Sequence, residues 1–355
     1  MCDFRKAPIM NTREEILAQI DQMDNVCIIV HTDPDGDALG SAYGLKCELE
    51  KRGEKAEVMT PYEFQKRFAW QEGTKIAEKP PENIMRVLHK GQSTQIDKPD
   101  FIIAVDCADM DRFDYFKERF QKATEQGKTM QFDHHKNNPC YASYNYVKQV
   151  SSCGEVLCQV FYNKDTLTKD VAFNWFLAIM SDTQSFDIPC EAETYLWAGR
   201  MREGISAYDK LKIKRALKSK SIIKFRLFGY IGSTAIERMP GVWTACISRD
   251  VLDKFDAKMS DTIGLVNEML KIDGSKLAVL LKEQRIIEDG KDKFFYKVSM
   301  RSNSDDPDGV SAYNICSQFG GGGHDGASGC DIYESDINKV YETLEPAIKK
   351  ELNKS

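Results

Sequence analysis

No apolar run in these 355 residues approaches the roughly 20 residues that a membrane-spanning helix needs. The longest, such as Val26 to Val30 and Phe101 to Val105, are the length of strands. Met1 to Arg13 carries Asp3, Arg5 and Lys6 and no apolar core of a secretory signal, so none is expected. Positive charge is not in surplus: 49 Lys and Arg stand against 55 Asp and Glu, a formal −6. That excludes a broad basic platform for long duplex nucleic acid, and leaves room for a small phosphate-bearing substrate in a local pocket. Eleven cysteines are an odd number and no pair has CxxC spacing, so neither a disulfide framework nor a zinc knuckle is indicated. Cys316, His324 and Cys330 fit no standard zinc spacing. Together these absences describe a reduced, cytoplasmic protein with no membrane partner.

Histidine is scarce as well, and its placing is informative. Of five, His31, His134, His135 and His324 fall in clusters of acids or glycines, while His89 beside Lys90 reads as an exposed helix end. Three short apolar stretches in the first half each run into acids: Val26–Val30 into His31 and several aspartates, Phe101–Val105 into Asp106, and Thr129–Phe132 into Asp133-His134-His135. Such runs suit strands buried on both faces of a parallel sheet. Between them lie helical patterns at Leu39–Leu49, closed by Gly53, and at Asp111–Gln126. The alternation predicts a doubly wound α/β domain, with ligands at the carboxyl ends of the strands, where the acids fall. A helical block over Val171–Met180 ends in Ser181-Asp182-Thr183, and basic residues from Lys210 to Arg226 mark a connector. The last third shows strand-like segments at Val242–Ile247, Leu277–Leu281 and Phe294–Met300, then Gly320–Gly323 and a polar terminal helix. Asp33-Pro-Asp-Gly36 recurs as Asp306-Pro-Asp-Gly309, but the second copy lacks the flanking His and Asp and reads as a turn.

In His31-Thr-Asp-Pro-Asp35-Gly-Asp37 an imidazole and alternate carboxylates follow a strand end, a donor set suited to Mn²⁺, Mg²⁺ or Fe²⁺. Alone, the same aspartates serve equally as turn formers and helix caps. The other clusters tip the balance. Asp106, Asp133, His134 and Asp182 follow further buried elements, and carboxylates gathered there without a cation would repel at a cost of several kcal/mol. Two divalent ions sharing a carboxylate relieve that repulsion and make a hydrolytic centre.

These four clusters resemble the motifs of the DHH phosphoesterases. Gly320–His324, followed by Ala327-Ser328-Gly329, resembles the GGGH signature of their associated C-terminal domain, so the resemblance spans residues 26 to 330. It implies a DHH catalytic domain over 1–200, a basic helical linker over 201–230 and a smaller α/β substrate-binding domain over 231–355, with the active site in the cleft between domains. His31, Asp35 and Asp106 should hold one Mn²⁺, and Asp37, Asp106, His134 and Asp182 the other, with Mg²⁺ or Co²⁺ as substitutes. Asp106 would bridge the two, Asp133 would orient a ligand, and His135 would contact the scissile phosphate. In the C-terminal domain, Arg301 and Ser302 would read the substrate, with His324 and the N–H groups of Gly322 and Gly323 on its phosphate or base. Alone, the glycine run reads either as an anion nest or as a flexible turn. Asp325 beside His324 and the long Pro61–Lys98 segment with Trp70 depart from the pattern.

The activity implied is Mn²⁺-dependent hydrolysis of very short RNA or DNA oligonucleotides to mononucleotides, with 3′-phosphoadenosine 5′-phosphate as a further substrate. A soluble cyclic-dinucleotide phosphodiesterase is the near alternative. A non-catalytic nucleotide or RNA-binding protein is the distant one, disfavoured because every expected ligand position is filled. A second copy of the chain, in a homodimer, is the expected protein partner.

Overall fold

A computed structural model describes residues 10–32, 34–59, 99–288, 291–303 and 309–354. Asp33, His89, the 61–98 segment with Trp70, and Asp306-Pro-Asp of the repeated turn lie outside the described residues. The chain divides into two compact units, residues 1–219 and 220–355.

In the first unit, β1 (Asn25–Ile29), β2 (Lys55–Met59), β3 (Phe101–Val105), β4 (Thr129–Asp133) and β5 (Tyr144–Val147) form one sheet in the order β2-β1-β3-β4-β5. Every neighbouring pair is parallel. The apolar runs are explained by burial on both sides: Val26 and Ile28 enter one core layer, Cys27 and Ile29 the other. Strand order reverses between β1 and β3, so the loops leaving them diverge and open a crevice at the carboxyl edge.

The helices α1 (Arg13–Ile20) and α2 (Gly36–Arg52) flank β1, and Gly53 closes α2 in a left-handed conformation at φ 106°. The pattern at 111–126 predicts one helix, but the chain breaks. A 3-10 turn over Met110–Phe116 holds Asp114 at φ 51° before α3 (Lys117–Glu125) begins. The break brings Phe113, Phe116 and Phe120 into one cluster under the sheet, with the Phe113 and Phe120 rings 5.4 Å apart. On the other face lie α4 (Cys153–Phe161), α5 (Lys169–Asp182) and α6 (Ala192–Glu203). α2 and α5 run antiparallel in close contact. A Cβ at Gly40 would lie 2.5 Å from the Asn174 carbonyl oxygen, and one at Gly44 2.3 Å from the Trp175 ring. The contact sets the start of α2 beside the end of α5.

The basic stretch expected as a linker is shared between the units. α7 (Ala207–Lys218) buries Ile213 and Ala216 in the first core, and α8 (Ile222–Thr234) buries Leu227 and Ile231 in the second. The second unit is a mixed sheet of β6 (Ile236–Met239), β7 (Val242–Ile247), β8 (Leu277–Glu288), β9 (Lys291–Ser302), β10 (Gly322–His324) and β11 (Ala327–Ile332), ordered β10-β11-β9-β8-β7-β6. On one face α11 (Ala312–Cys316) and α12 (Ile337–Leu352) cover Val279, Val298, Met300 and Cys330. On the other, α8, α9 (Arg249–Lys254) and α10 (Leu265–Met269) cover Ala245, Ile247, Ala278 and Leu280, all on β7 and β8. Among the described residues no helix is long and apolar enough to cross a membrane.

Backbone atoms of α5 oppose Gly40 and cannot swing aside. Gly40→Ala is therefore expected to destabilise the first unit by about 1–3 kcal/mol despite alanine's better helix propensity. A lower denaturant midpoint with an unchanged slope would show this.

Candidate metal centre

Each acid at the crevice is placed by the fold before it meets any ligand. Asp35 caps α2: its Oδ1 accepts from the backbone N–H groups of Asp37 at 2.9 Å and Ala38 at 3.1 Å, leaving the other oxygen available. Asp37 is fully buried and held at the start of α4, where Oδ2 accepts from Cys153 N–H at 2.7 Å. Its Oδ1 accepts from Gly154 N–H and the Ser41 hydroxyl, both at 3.0 Å. A helix N-terminus suits such an anion. Asp106 donates its N–H to the Phe132 carbonyl at 3.0 Å, then turns left-handed at φ 53°, a conformation aspartate tolerates better than most residues. Beyond Asp182, the chain leaves α5 through Gln184, Ser185 and Phe186, all at positive φ. Backbone strain thus falls next to both carboxylates.

His134 shows what the cluster lacks. Its Nδ1 lies 3.1 Å from the Val150 carbonyl, which must accept from it, so once the ring is neutral Nε2 carries the lone pair. That Nε2 is 3.2 Å from Asp182 Oδ2, 3.3 Å from Asp106 Oδ1 and 3.7 Å from Asp37 Oδ2. Neither His134 Nε2 nor Asp106 Oδ1, both buried, has a hydrogen-bond partner. Acceptors converging this closely fit a cation between them. Candidate ligand atoms within 4.8 Å of one another form one trio of His31, Asp35 and Asp106 and another of Asp37, His134 and Asp182, and a further group joins Asp106, Asp133, His134 and His135. His31 Nε2 is 3.9 Å from Asp106 Oδ2.

Without a cation the cluster holds protons instead. Burial, then the charges of Asp106 and Asp182, pushes Asp37 well above the usual carboxylate range and raises Asp35. Burial opposes charge on His134, but its contacts with Asp106 and Asp182 push it up to about 12.

Asp133 is fully buried, and it orients His135. Its Oδ1 accepts from His135 Nδ1 at 2.8 Å and its Oδ2 from the Asn138 amide at 2.5 Å. Burial works against the Asp133 charge, yet these donors hold the carboxyl below its ordinary range, and the bond to Asp133 raises His135. His135 Nε2 is left facing outward on a side chain 41% exposed. Asn138 pairs with Gln131 through reciprocal amide bonds of 3.1 Å. Neither Asn138 nor Arg112, whose Nη2 is 2.8 Å from His31 Nδ1, was legible as a site residue. Each looks in sequence like any other polar loop residue.

In the second unit, Arg301 is half-buried, and its Nη1 donates to the Met300 carbonyl at 2.8 Å. Ser302, expected beside it as a substrate contact, is turned inward. Residues alternate along β9, so Ser302 is buried and its hydroxyl donates to the Asp325 carbonyl at 2.9 Å. Gly322–His324 is neither nest nor turn but an edge strand, with His324 exposed. A Cβ at Gly321 would lie 2.3 Å from the Gly329 carbonyl oxygen, and Gly323 takes φ 137°. Among the described residues no metal-binding group joins Cys316, His324 and Cys330.

Residues 25–179 match the family model of the DHH family N-terminal domain, and residues 242–350 that of the DHHA1 domain. The chain belongs to the DHH family of phosphoesterases. It is 27% identical over 340 residues, covering 93% of this chain and 91% of the relative, to a bifunctional oligoribonuclease and PAP phosphatase NrnA of Thermus thermophilus. The Bacillus subtilis protein of that name is 24% identical, with 95% and 99% covered. Among solved structures, an exopolyphosphatase-related protein from Bacteroides fragilis shares the fold, with a TM-score of 0.75, 22% identity and 96% of each chain covered.

A cation entering this DHH centre displaces protons from Asp35, Asp37 and His134, all of which hold them more tightly than in the unfolded chain. The stability those protons supply is present at low pH and lost as pH rises. The increase in Tm on adding Mn²⁺ is therefore expected to grow between pH 5.5 and pH 8, roughly, and thermal scans with and without metal would check it.

Proposed function

We propose that this DHH protein is a Mn²⁺-dependent phosphodiesterase that cleaves very short oligonucleotides to mononucleotides and removes the 3′-phosphate of 3′-phosphoadenosine 5′-phosphate. The observation that carries this is the meeting of the two ligand trios at Asp106 and His134, 3.3 Å apart, on one sheet edge. The substrate class is supported by relatives that align along nearly their whole length and are named for both activities. The cytoplasm is the proposed setting, where the described cysteines, all free thiols, stay reduced.

His31, Asp35 and Asp106 would hold one ion and Asp37, Asp106, His134 and Asp182 the other. The donors are nitrogen and oxygen only, a set suited to Mn²⁺ with Mg²⁺ or Co²⁺ as substitutes. When bound, divalent ions supply hydroxide near neutral pH and a positive clamp on phosphoryl oxygen. The chain's own residues do the rest. His135, kept protonated by the Asp133 carboxylate, directs its Nε2–H to an oxygen of the scissile phosphate and stabilises charge gathering there. Asn138 and Gln131 keep Asp133 from rotating away. In the second unit, the Arg301 guanidinium meets a substrate phosphate as a planar fork, with His324, Gly322 and Gly323 of the edge strand beside it. Ser302, with its hydroxyl on the Asp325 carbonyl and its N–H on that of Gly326, positions the turn that precedes β11.

With Mn²⁺, the protein is expected to release mononucleotides from di- to pentanucleotides. Asp106→Asn should abolish this, and His135→Gln should lower kcat by about 10²–10³-fold with a smaller change in KM. Chromatography of the products would decide; no mononucleotide from any of these substrates or from 3′-phosphoadenosine 5′-phosphate would refute the reading.

A further inference from the structure

One half of the second unit's sheet carries an unusual charge arrangement. Register places Lys282 of β8 directly opposite Lys297 of β9, and Ala278 opposite Arg301. Lys297, Ser299 and Arg301 therefore share one face, two residues apart, with Lys282 beside them. Like charges directly opposed on antiparallel strands are unfavourable. Lys282 nevertheless leans further into the group: its Nζ donates to the Ser299 hydroxyl at 2.8 Å, between Lys297 and Arg301. Burial and the neighbouring Lys297 and Arg301 charges hold its ammonium below the ordinary lysine range. Asp331 lies opposite Lys297 on β11, yet among the described residues no ion pair joins it to either lysine.

The floor beside these cations is bare. Gly329 lies opposite Ser299, and Gly322 opposite Gly329, so two adjacent strands present backbone where side chains would stand. A Cβ at Gly322 would meet nothing within 4 Å. The helices on this face of the sheet cover residues of β7 and β8, while Lys297 is exposed and Ser299 and Arg301 are half-buried. A trough with a backbone floor and a wall of three cations, held together against their own repulsion, has the chemistry of a polyanion site.

We propose that Lys282, Lys297 and Ser299 form a second phosphate subsite, which takes a phosphate of the substrate strand beyond the one held by Arg301. Arg301 and Lys297 are four residues apart on an extended strand, roughly 13 Å, too far for one phosphate to satisfy both. The subsite thus favours substrates with one phosphate more than the cleaved one and the one on Arg301, 5′-phosphorylated trinucleotides over 5′-phosphorylated dinucleotides. This preference rests on the phosphodiesterase reading, whereas binding of a polyanion by the lysines does not.

Two measurements separate these. Calorimetric titration of the metal-stripped full-length protein with inorganic pyrophosphate reads the subsite without chemistry. Lys297→Met and Lys282→Met are each expected to weaken binding about five- to tenfold, the size of one charge-assisted hydrogen bond to phosphate. Lys282→Arg should recover most of the loss, which a purely structural lysine tied to Ser299 would not predict. Wild-type protein that fails to bind pyrophosphate, or a double variant that binds it as tightly as wild type, overturns the proposal. With Mn²⁺, the ratio of kcat/KM for a 5′-phosphorylated trinucleotide to that for a 5′-phosphorylated dinucleotide should fall about five- to tenfold in Lys297→Met; an unaltered ratio overturns the length preference. Wild type that cleaves neither substrate but binds pyrophosphate through the lysines would refute the phosphodiesterase reading and leave the subsite standing.

Discussion

Mutual repulsion among carboxylates is the constraint around which the first unit is built. Asp35, Asp37, Asp106 and Asp182 converge on one sheet edge, and the buried ones cannot be relieved by water. Rigid devices hold them there. The Gly40–Gly44 side of α2 lets α5 close in, which fixes the Asp35 and Asp37 end of one helix against the Asp182 end of the other. The start of α4 presents two N–H groups to Asp37. Asp106 accepts a left-handed backbone to direct its carboxyl inward. Such an arrangement is tolerable with protons or cations in place, and its stability is thereby tied to whichever occupies it.

The same geometry removes a choice posed by residue type. Aspartates in a loop before a helix are either caps or ligands when judged by residue type. Asp35 is both, because a carboxylate has two oxygens: Oδ1 caps α2 and the other stays free. Asp133 makes the converse point. It has the burial of a ligand, but its two oxygens accept from His135 and Asn138, and its charge favours the protonated imidazole.

Strand ends were legible because buried parallel strands read as apolar runs and their last residues carry the acids; β1, β3 and β4 lie where Val26, Phe101 and Thr129 begin such runs. The break at Asp114 was not, since Phe113, Phe116 and Phe120 keep helical spacing while the chain turns to bury them. Arg112 acts on His31, 81 residues away, and Asn138 on Asp133 and Gln131 across the turn after β4, and residue type says nothing of either. Ser302 is different. A strand alternates its faces, so adjacent Arg301 and Ser302 could not both meet one ligand once β9 was recognised as extended. The glycine run misled for a related reason: glycines suggest a loop, but here Gly321 is required by the approach of β11.

A formal charge of −6 hides two opposite local fields, although residues 1–219 sum to −4 and residues 220–355 to −2. The first unit gathers acids and repels phosphate until cations occupy them. The second presents Arg301, Lys297 and Lys282 on one sheet face, where phosphate would be attracted with no metal at all. In the proposed activity, binding and cleavage would fall to different units and different electrostatics. Binding by the sheet should weaken steeply with salt, as exposed phosphate contacts do. Cleavage answers instead to whatever loads the buried carboxylates, which salt screens far less. A mildly acidic chain could therefore handle short nucleic acids: the cations grouped on the β8–β9 pair are enough to grip a few phosphates and too few to hold a long strand.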